Sequence, residues 1–345
     1  MTETSASSSQ YRSLAYADDV IAFSVSHQKE NMLARGMGFE HLRELLIRLA
    51  TPILRQGASL AYGGNWEQTD DNFMFPLLDL IRAEQEDKSL GASPTDREHP
   101  RIGLLYNHLA WPHYLKITPA IEAQWINCCR IVRITQQLAG FPDAEIVPDA
   151  NAFQQDTRTL FNKAVTLSAM RREMMRPMTI DIPDVPQPES IPPVTARILL
   201  GGKADAYSGF LPGIFEEALV TMELHRPVYL LGGFGGAAEI LAKAMLASGT
   251  DRPEELTLDW HKKRNADLAK LLDSVGQFKM PAPLSGLENS LDALFAFVLK
   301  ARADLPGTLA TGLSEADTRD LLTTNDVSNA VHLVHSALVA KKTPP

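Results

Sequence analysis

The chain has 345 residues, of which 45% are hydrophobic and 22% charged, and its formal net charge is −9. This length allows one large α/β domain with an appendage, or two domains, and the composition is typical of a folded globular protein. The acidic balance argues against a nucleic-acid binder, because such proteins usually present a basic face. No apolar run reaches the ~18 residues that a membrane helix needs.

The cysteines and the N-terminal residues indicate the cellular compartment. Cys128 and Cys129 are adjacent in the apolar context WINCCRIVRI, which favours buried, reduced thiols over a disulfide or a metal site. The opening MTETSASSSQ lacks the basic-then-apolar order of a secretory signal. We therefore expect a cytoplasmic protein that is not bound to a membrane, with residues 1–17 as a disordered tail.

The first half of the chain is predicted to alternate strands and amphipathic helices. The predicted strands are Val20–Ser26, Ser59–Tyr62, Arg101–Tyr106 and Cys129–Ile134. The predicted helices are roughly Phe39–Gln56, Asn72–Glu86, Pro119–Gln124 and Asp156–Arg176. A polar connector precedes the third strand at Lys88–Pro100. After the last helix, the proline-rich segment 178–194 is expected to run extended over the surface.

The segment from Arg197 to Ala247 contains two strand–glycine–helix units in tandem. Arg197–Leu200 is a short apolar run that ends on Gly201-Gly202, and Val228–Leu231 ends on a loop with four glycines, 232–236. Helices are predicted to start at Ile214 and at Ala237. Short apolar runs that alternate with helices indicate parallel strands joined by crossover helices.

Beyond residue 248 the pattern predicts amphipathic helices and no further strand. We therefore predict a doubly wound, mostly parallel, Rossmann-like α/β fold over residues 18–250, with an α-helical C-terminal extension over 251–345. The extension would pack on the sheet or form an oligomer contact. In such a sheet a ligand is expected across the carboxyl ends of the strands.

Two of the glycine turns resemble the signature turns of a known superfamily. They are Tyr62-Gly63-Gly64-Asn65 and the segment 209–218, GFLPGIFEEA. They look like the turns of the SLOG superfamily, which includes the lonely-guy cytokinin-activating enzymes, once called lysine decarboxylase-like, and the DNA-processing protein DprA. Those enzymes carry a Gly-Gly-Gly strand end and a Pro-Gly-Gly-x-Gly-Thr-x-x-Glu helix start. The resemblance covers roughly residues 18–248.

The resemblance implies binding of a nucleotide or a nucleotide-derived ligand. It is closest to prokaryotic SLOG branches proposed as sensors in conflict and antiphage systems, which implies an ADP-ribose- or NAD-derived ligand and signalling through a homo-oligomer or an effector protein. The alternative is a phosphoribohydrolase, an N-glycosidic hydrolase acting on nucleoside monophosphates. The enzymes' second glycine after proline and their Gly-Thr pair are missing here, which favours the sensor. The acidic charge disfavours DNA binding of the DprA kind.

The predicted ligand-binding residues follow the ends of the strands, where backbone N–H groups at helix starts favour an anion. They are Ser26, His27, Arg35, Gly63, Gly64, Asn65, Gly201, Gly202, Lys203, Tyr207, Gly209, Pro212, Gly213, Gly232, Gly233, Phe234, Gly235 and Gly236. The loop 232–236 is predicted to bind phosphate, because tight turn packing explains one or two glycines more easily than four.

Several side chains have specific predicted roles, each with a plainer alternative. Lys203 would meet a phosphate or be a solvated loop lysine, and Arg35 would be the cation for a pyrophosphate. His27 would be an acid or base, or an exposed loop histidine. Trp111 would form an aromatic wall with its neighbours Asn107 and His113, or simply pack in a loop. Asp205, Tyr207 and Ser208 could contact ribose or base, while Phe210 is expected to be a core anchor.

The carboxylates in the first turn of the helix after the Pro-Gly of the second signature turn carry the enzyme alternative. Glu216 would face the cleft in preference to Glu217 and would be catalytic if the protein is an enzyme, supporting charge on the sugar or activating water. The alternative is that both acids complement the helix dipole. No cluster of His, Asp, Glu or Cys has metal-ligand spacing, so neither a metal nor a cofactor is expected.

Overall fold

The computed structural model describes residues 15–28, 32–33, 35–91, 103–182 and 186–341. Most of the predicted N-terminal tail, the connector over 92–100 and the start of the predicted third strand lie outside the described residues. Within the predicted tail, Tyr16 is buried and its N–H donates to the Gln56 carbonyl over 2.9 Å. Residues 15–17 are therefore part of the folded body.

A six-stranded parallel sheet forms the centre of the protein. Its strands are β1 (Val20–Ser26), β2 (Ser59–Tyr62), β3 (Leu105–Ala110), β4 (Cys129–Ile134), β7 (Ala196–Gly201) and β8 (Val228–Leu231). Their order across the sheet is β4-β3-β2-β1-β7-β8. The proline-rich segment contributes a separate antiparallel pair, β5 (Met178–Ile180) and β6 (Glu189–Ile191). The predicted doubly wound α/β class is confirmed.

Helices cover both faces of this sheet. In the α/β part they are α1 (Phe39–Arg55), α2 (Met74–Gly91), α3 (Pro119–Trp125), α4 (Thr157–Glu173), α5 (Gly213–Glu223) and α6 (Gly236–Leu246). The C-terminal helices are α7 (Leu258–Arg264), α8 (Ala266–Val275), α9 (Ser290–Ala303), α10 (Leu305–Leu309), α11 (Glu315–Thr323) and α12 (Val327–Ala340). One hydrophobic cluster joins the sheet to α1, α2 and α12, and two others join it to α4, α8, α5, α6 and α9.

The third strand lies further along the chain than the sequence predicts. It runs over Leu105–Ala110, and Asn107 and His108, which follow the predicted strand end at Tyr106, are buried within it. Asn107 pairs with Ile131 of β4. In a sequence, polar residues within a short segment suggest a loop. A buried strand can hold these two because each side chain has a hydrogen-bond partner.

The order in which strands are added to the sheet changes side at β1. From β1 the chain moves outward through β2 and β3 to β4, and then it returns to place β7 on the other side of β1. Ser26 at the end of β1 is paired with Gly201 at the end of β7. The crossover helices on the two sides of this point cover opposite faces, so a crevice opens at the carboxyl ends of these strands.

The C-terminal helices are packed onto the α/β part. Leu294 and Val298 of α9 are fully buried in one cluster with Leu219 of α5 and Leu241 of α6. Val334 of α12 is buried against the opposite face of the sheet. Within the described ranges, no helix is both long enough and apolar enough to cross a membrane.

Candidate functional site

A cavity of about 510 Å³ lies at the carboxyl ends of the strands. We call it the cleft. Residues of β1, of the loops after β2, β3 and β7, and of helices α4 and α5 line it. The predicted site residues that line it are Ser26, His27, Gly63, Gly64, Asn65, Lys203, Tyr207 and Gly213. The structure thus brings together predicted residues from three strand ends, those of β1, β2 and β7, and their contact with a ligand stays a prediction.

The first turn of α5 opens into the cleft through Gly213 and Ile214. The first N–H groups of an α-helix have no partner within the helix. The N-cap residue, Pro212, makes no side-chain capping bond to them. These N–H groups and the positive end of the helix dipole therefore favour an anion in the cleft.

Lys203 adds a full positive charge beside that turn. It is exposed, lines the cleft and forms no ion pair with another described residue. A free ammonium group next to helix N–H groups can bind a phosphate oxygen.

The two adjacent glutamates of α5 have different environments. Glu216 is 1% exposed and its carboxylate is bonded to Arg171 of α4. Glu217 lines the cleft. The structure therefore reverses the expected orientation, because α5 begins at Gly213 and the rotation of the helix turns residue 216 towards α4.

Two buried arginines balance these acids, Arg171 in the lining of the cleft and Arg197 behind it. Arg171 contacts Glu216 and has its Nε 3.8 Å from Glu217 Oε1. Arg197 of β7 is completely buried, and its Nη1 lies 3.6 Å from Glu217 Oε2. Burial lowers the pKa of Arg197, while Glu217 opposes that effect. Two cations and two anions together make a neutral cluster, which limits the cost of burying each charge.

The Gly63–Gly64 turn is held in place by Asn107 of β3. The Asn107 side-chain amide donates to the carbonyls of Tyr62 and Gly64, each over 2.9 Å. Its Oδ1 accepts from Trp66 Nε1 over 2.8 Å. The amide is thus committed to protein partners and shapes the turn without contacting the cleft.

The predicted aromatic wall after β3 does not form. Trp111 is 1% exposed, and its Nε1 donates to Asp149 Oδ1 over 3.0 Å, away from the cleft. His113 does line the cleft. Its pKa falls to about 4 because burial and the nearby Lys163 and Lys116 disfavour the protonated ring.

The glycine-rich loop 232–236 lies outside the cleft. A Cβ on Gly233 would stand 2.0 Å from the Thr324 carbonyl oxygen, and one on Gly232 would stand 2.5 Å from that of Leu322. Gly235 and Gly236 have φ angles of 86° and 68°. Close packing against the C-terminal end of α11 accounts for Gly232 and Gly233, and positive φ angles account for Gly235 and Gly236. Phosphate binding by this loop stays a prediction that its position outside the cleft does not support.

At the start of α6, the Ala237 N–H already has a partner within the protein. The Ala237 N–H donates to the Gly202 carbonyl over 2.9 Å, and the Gly202 N–H donates to the Ser26 carbonyl over 2.8 Å. A Cβ on Gly202 would stand 2.2 Å from Ile214 Cγ1. Gly201 and Gly202 thus join β1, β7 and two helices, and they do not line the cleft.

Arg35 is paired with a protein carboxylate. It forms an ion pair with Glu239 of α6, which also binds Lys243 over 2.8 Å. Arg35 does not line the cleft, and its guanidinium shares the Glu239 carboxylate with Lys243. The expected pyrophosphate contact of this residue therefore has no support in the geometry.

The loop after β7 is attached to the C-terminal helices. Asn265 Nδ2 donates to the Tyr207 carbonyl over 2.9 Å, and the Tyr207 ring lies 5.6 Å from the His261 ring. Tyr207 and Ser208 line the cleft, whereas Asp205 bonds Gln28 outside it. Phe210 is buried in the core, as the sequence predicts. Gly209 adjoins the guanidinium of Arg171, 3.8 Å from where its Cβ would lie.

Sequence reasoning missed Arg171 and Arg197. Arg171 stands near the end of a helix, where a basic residue is expected to complement the dipole. Arg197 is the second residue of the apolar strand β7, and an arginine inside such a run is the signal that could have suggested a buried charge with a partner. Within the described part of the chain, no group of three or more His, Cys, Asp or Glu side chains could hold a metal ion.

Comparison with known families gives one match. A family model described as SLOG cluster2 matches residues 15–315, so it extends past residue 250 into the C-terminal helices. No curated protein matches the chain. The match confirms the resemblance of the glycine turns, and it suggests a nucleotide-related function for the Rossmann-like fold. The chain belongs to the SLOG cluster2 family of the SLOG superfamily.

Proposed function

We propose that the cleft binds a nucleotide-derived ligand of the ADP-ribose or NAD type and that the protein acts as a SLOG-type sensor. The observation that carries this proposal is the position of the α5 N-terminus, which opens into a cavity at the point where the strand order reverses. Ligands of doubly wound sheets bind at such a point. Helix N–H groups and Lys203 supply the chemistry for a phosphate.

The size of the cleft supports a ligand of nucleotide dimensions. Its volume of about 510 Å³ falls within the roughly 300–1,000 Å³ of small-molecule sites. A second cavity of about 720 Å³ adjoins it, and His27, Asp71, Lys203 and Ala206 line both. A ligand with two halves joined by a pyrophosphate could therefore place its phosphates near Lys203 and extend into both cavities.

The sensor would pass occupancy to a homo-oligomer or to an effector protein. The attachment of the Tyr207 loop to α7 and α8 supports this, because a ligand that moves Tyr207 would also move His261 and Asn265. The proposed site of action is the cytoplasm, with neither nucleic acid nor a membrane as a partner.

Calorimetric titration with ADP-ribose, NAD and AMP tests the sensor proposal. We expect saturable binding of at least one of them, with the ligand recovered intact by chromatography. Size-exclusion chromatography with and without ligand then measures assembly. Failure of all three to bind at millimolar concentration would contradict the proposal.

The second candidate function is a phosphoribohydrolase acting on nucleoside monophosphates. The observation that favours it is the presence of Glu217 in the cleft between two buried guanidinium groups. A carboxylate there could stabilise positive charge on the sugar or activate water as the base leaves. This role moves from Glu216, which is bonded to Arg171.

Release of free base from AMP or other nucleoside monophosphates would distinguish the hydrolase from the sensor. Turnover that Glu217→Gln abolishes and Glu223→Gln preserves would establish the enzyme. Binding without base release would leave the sensor. Glu223 is the matched control because it lies on the same helix and pairs with Arg172 over 3.3 Å outside the cleft.

A further inference from the structure

The carboxylate of Glu217 has unused capacity to accept hydrogen bonds. Its oxygens lie 3.8 Å from Arg171 Nε and 3.6 Å from Arg197 Nη1, which are ion-pair distances too long for hydrogen bonds. In the described part of the chain, no group donates a hydrogen bond to either oxygen. Each oxygen of an ionised carboxylate has two lone pairs, so both remain available to a ligand.

The position of this carboxylate is fixed from behind. Arg197 Nη1 donates to Ser24 Oγ over 3.0 Å, and its Nε donates to Thr221 Oγ1 over 3.1 Å. Thr221 lies one turn after Glu217 on α5. The guanidinium is thus held between β1 and α5, and its charge holds Glu217 at the wall of the cleft.

The location of Glu217 on α5 determines which part of a nucleotide it can meet. The N–H groups of Gly213 and Ile214 lie about one turn earlier, which is ~5.4 Å along the helix axis. A phosphate is attracted to those N–H groups and repelled by the carboxylate. The sugar is attached directly to the phosphate, so it lies over the next turn, where Glu217 is.

A ribose offers two adjacent hydroxyl donors to this carboxylate. We infer that Glu217 is a specificity-determining residue that accepts hydrogen bonds from the 2′- and 3′-hydroxyls and so selects ribonucleotides over deoxyribonucleotides. This inference rests on the proposed nucleotide binding. A 2′-deoxy ligand leaves one carboxylate oxygen without a donor. Since a hydrogen bond to a charged group is at stake, 2′-deoxy ligands should bind roughly 10- to 100-fold more weakly.

Calorimetric titration of the full chain with AMP, 2′-deoxy-AMP and 3′-deoxy-AMP tests the inference, with GMP and 2′-deoxy-GMP as a second pair. For the unchanged protein we expect each deoxy form to bind roughly 10- to 100-fold more weakly than its ribonucleotide. In Glu217→Gln the ratio should fall towards one, because the amide presents one acceptor in place of two. Glu223→Gln should keep the full ratio.

Each outcome has a definite consequence. If the unchanged protein binds AMP and its deoxy forms equally, Glu217 does not select ribose, although nucleotide binding stands. If the ratio survives in Glu217→Gln, another group contacts the 2′-hydroxyl and the inference is overturned. If none of these nucleotides binds, the inference fails, and the proposed function fails with it only if ADP-ribose and NAD do not bind either. Should Glu217→Gln not fold, titrations of the unchanged protein and of Glu217→Asp still test the inference. The shorter side chain moves the carboxylate away from the sugar, so the ratio of ribonucleotide to deoxyribonucleotide affinity should fall.

Discussion

The Arg171–Glu216 ion pair should be a large single contribution to the stability of the cleft wall. The two side chains are 7% and 1% exposed. Removing one partner of a buried ion pair costs about 3–5 kcal/mol, because the other charge stays buried without compensation. Glu217 remains 3.8 Å from Arg171 and compensates in part. We therefore expect Glu216→Gln to lower the free energy of unfolding by about 3 kcal/mol, at the lower end of that range.

Urea unfolding followed by circular dichroism measures this loss as a lower midpoint at an unchanged slope. The control is Glu223→Gln, since the Arg172–Glu223 pair joins the same two helices with side chains 27% and 35% exposed. A pair so open to solvent contributes about 1 kcal/mol or less. The double variant Arg171→Met with Glu216→Leu removes both charges and should be more stable than Glu216→Leu alone.

Two results would refute this reasoning. The first is a loss in Glu216→Gln no larger than that in Glu223→Gln, which would mean that Arg171 finds full compensation elsewhere. The second is strict additivity in the double variant, which would mean that the two charges do not interact.

Three further predictions concern the cleft, the buried histidines and the glycine loop. Lys203→Ala should weaken phosphate-containing ligands roughly 2- to 10-fold in calorimetric titrations, with a smaller effect in high salt. Burial lowers the pKa of His108 from 6.5 to about 4, so the unfolded chain takes up its proton first as the pH falls. Stability present above pH 6.5 should be lost towards pH 4, by up to about 3 kcal/mol for this residue. His108→Asn should flatten the pH dependence of urea midpoints, whereas the exposed His332→Asn should not. Gly233→Ala should lower the free energy of unfolding by about 1–3 kcal/mol, because its Cβ would meet the Thr324 carbonyl. Ligand affinity of the folded Gly233→Ala protein should be unchanged, and a loss of affinity would restore a binding role to this loop.

The sheet and the position of the cleft follow from local patterns in the sequence. Apolar runs that end on glycine and lead into amphipathic helices define parallel strands, and Ser26, Gly63 and Lys203 meet in the cleft because parallel strands end at one edge. Local patterns do not reveal packing between segments that are distant in the sequence. Nothing local to the loop 232–236 shows that α11 lies against it.

The orientation of the charged side chains in the cleft wall also cannot be predicted from local sequence. Glu216 and Glu217 are neighbours with the same local signal, and their different orientations depend on Arg171, which lies 45 positions before Glu216. In the sequence Asn107 resembles a loop residue, but in the fold its amide donates to the Tyr62 carbonyl of β2 and to the Gly64 carbonyl after it. A buried polar side chain is explained by its partner, and a single sequence does not identify partners that far apart.

A crystal structure of the protein with bound AMP or ADP-ribose tests the central claim most directly. We predict a phosphate oxygen within hydrogen-bond distance of the Gly213 or Ile214 N–H, with Lys203 beside it and the ribose hydroxyls at Glu217. A phosphate bound at the loop 232–236, or at any place away from the carboxyl ends of β1 and β7, would contradict the account.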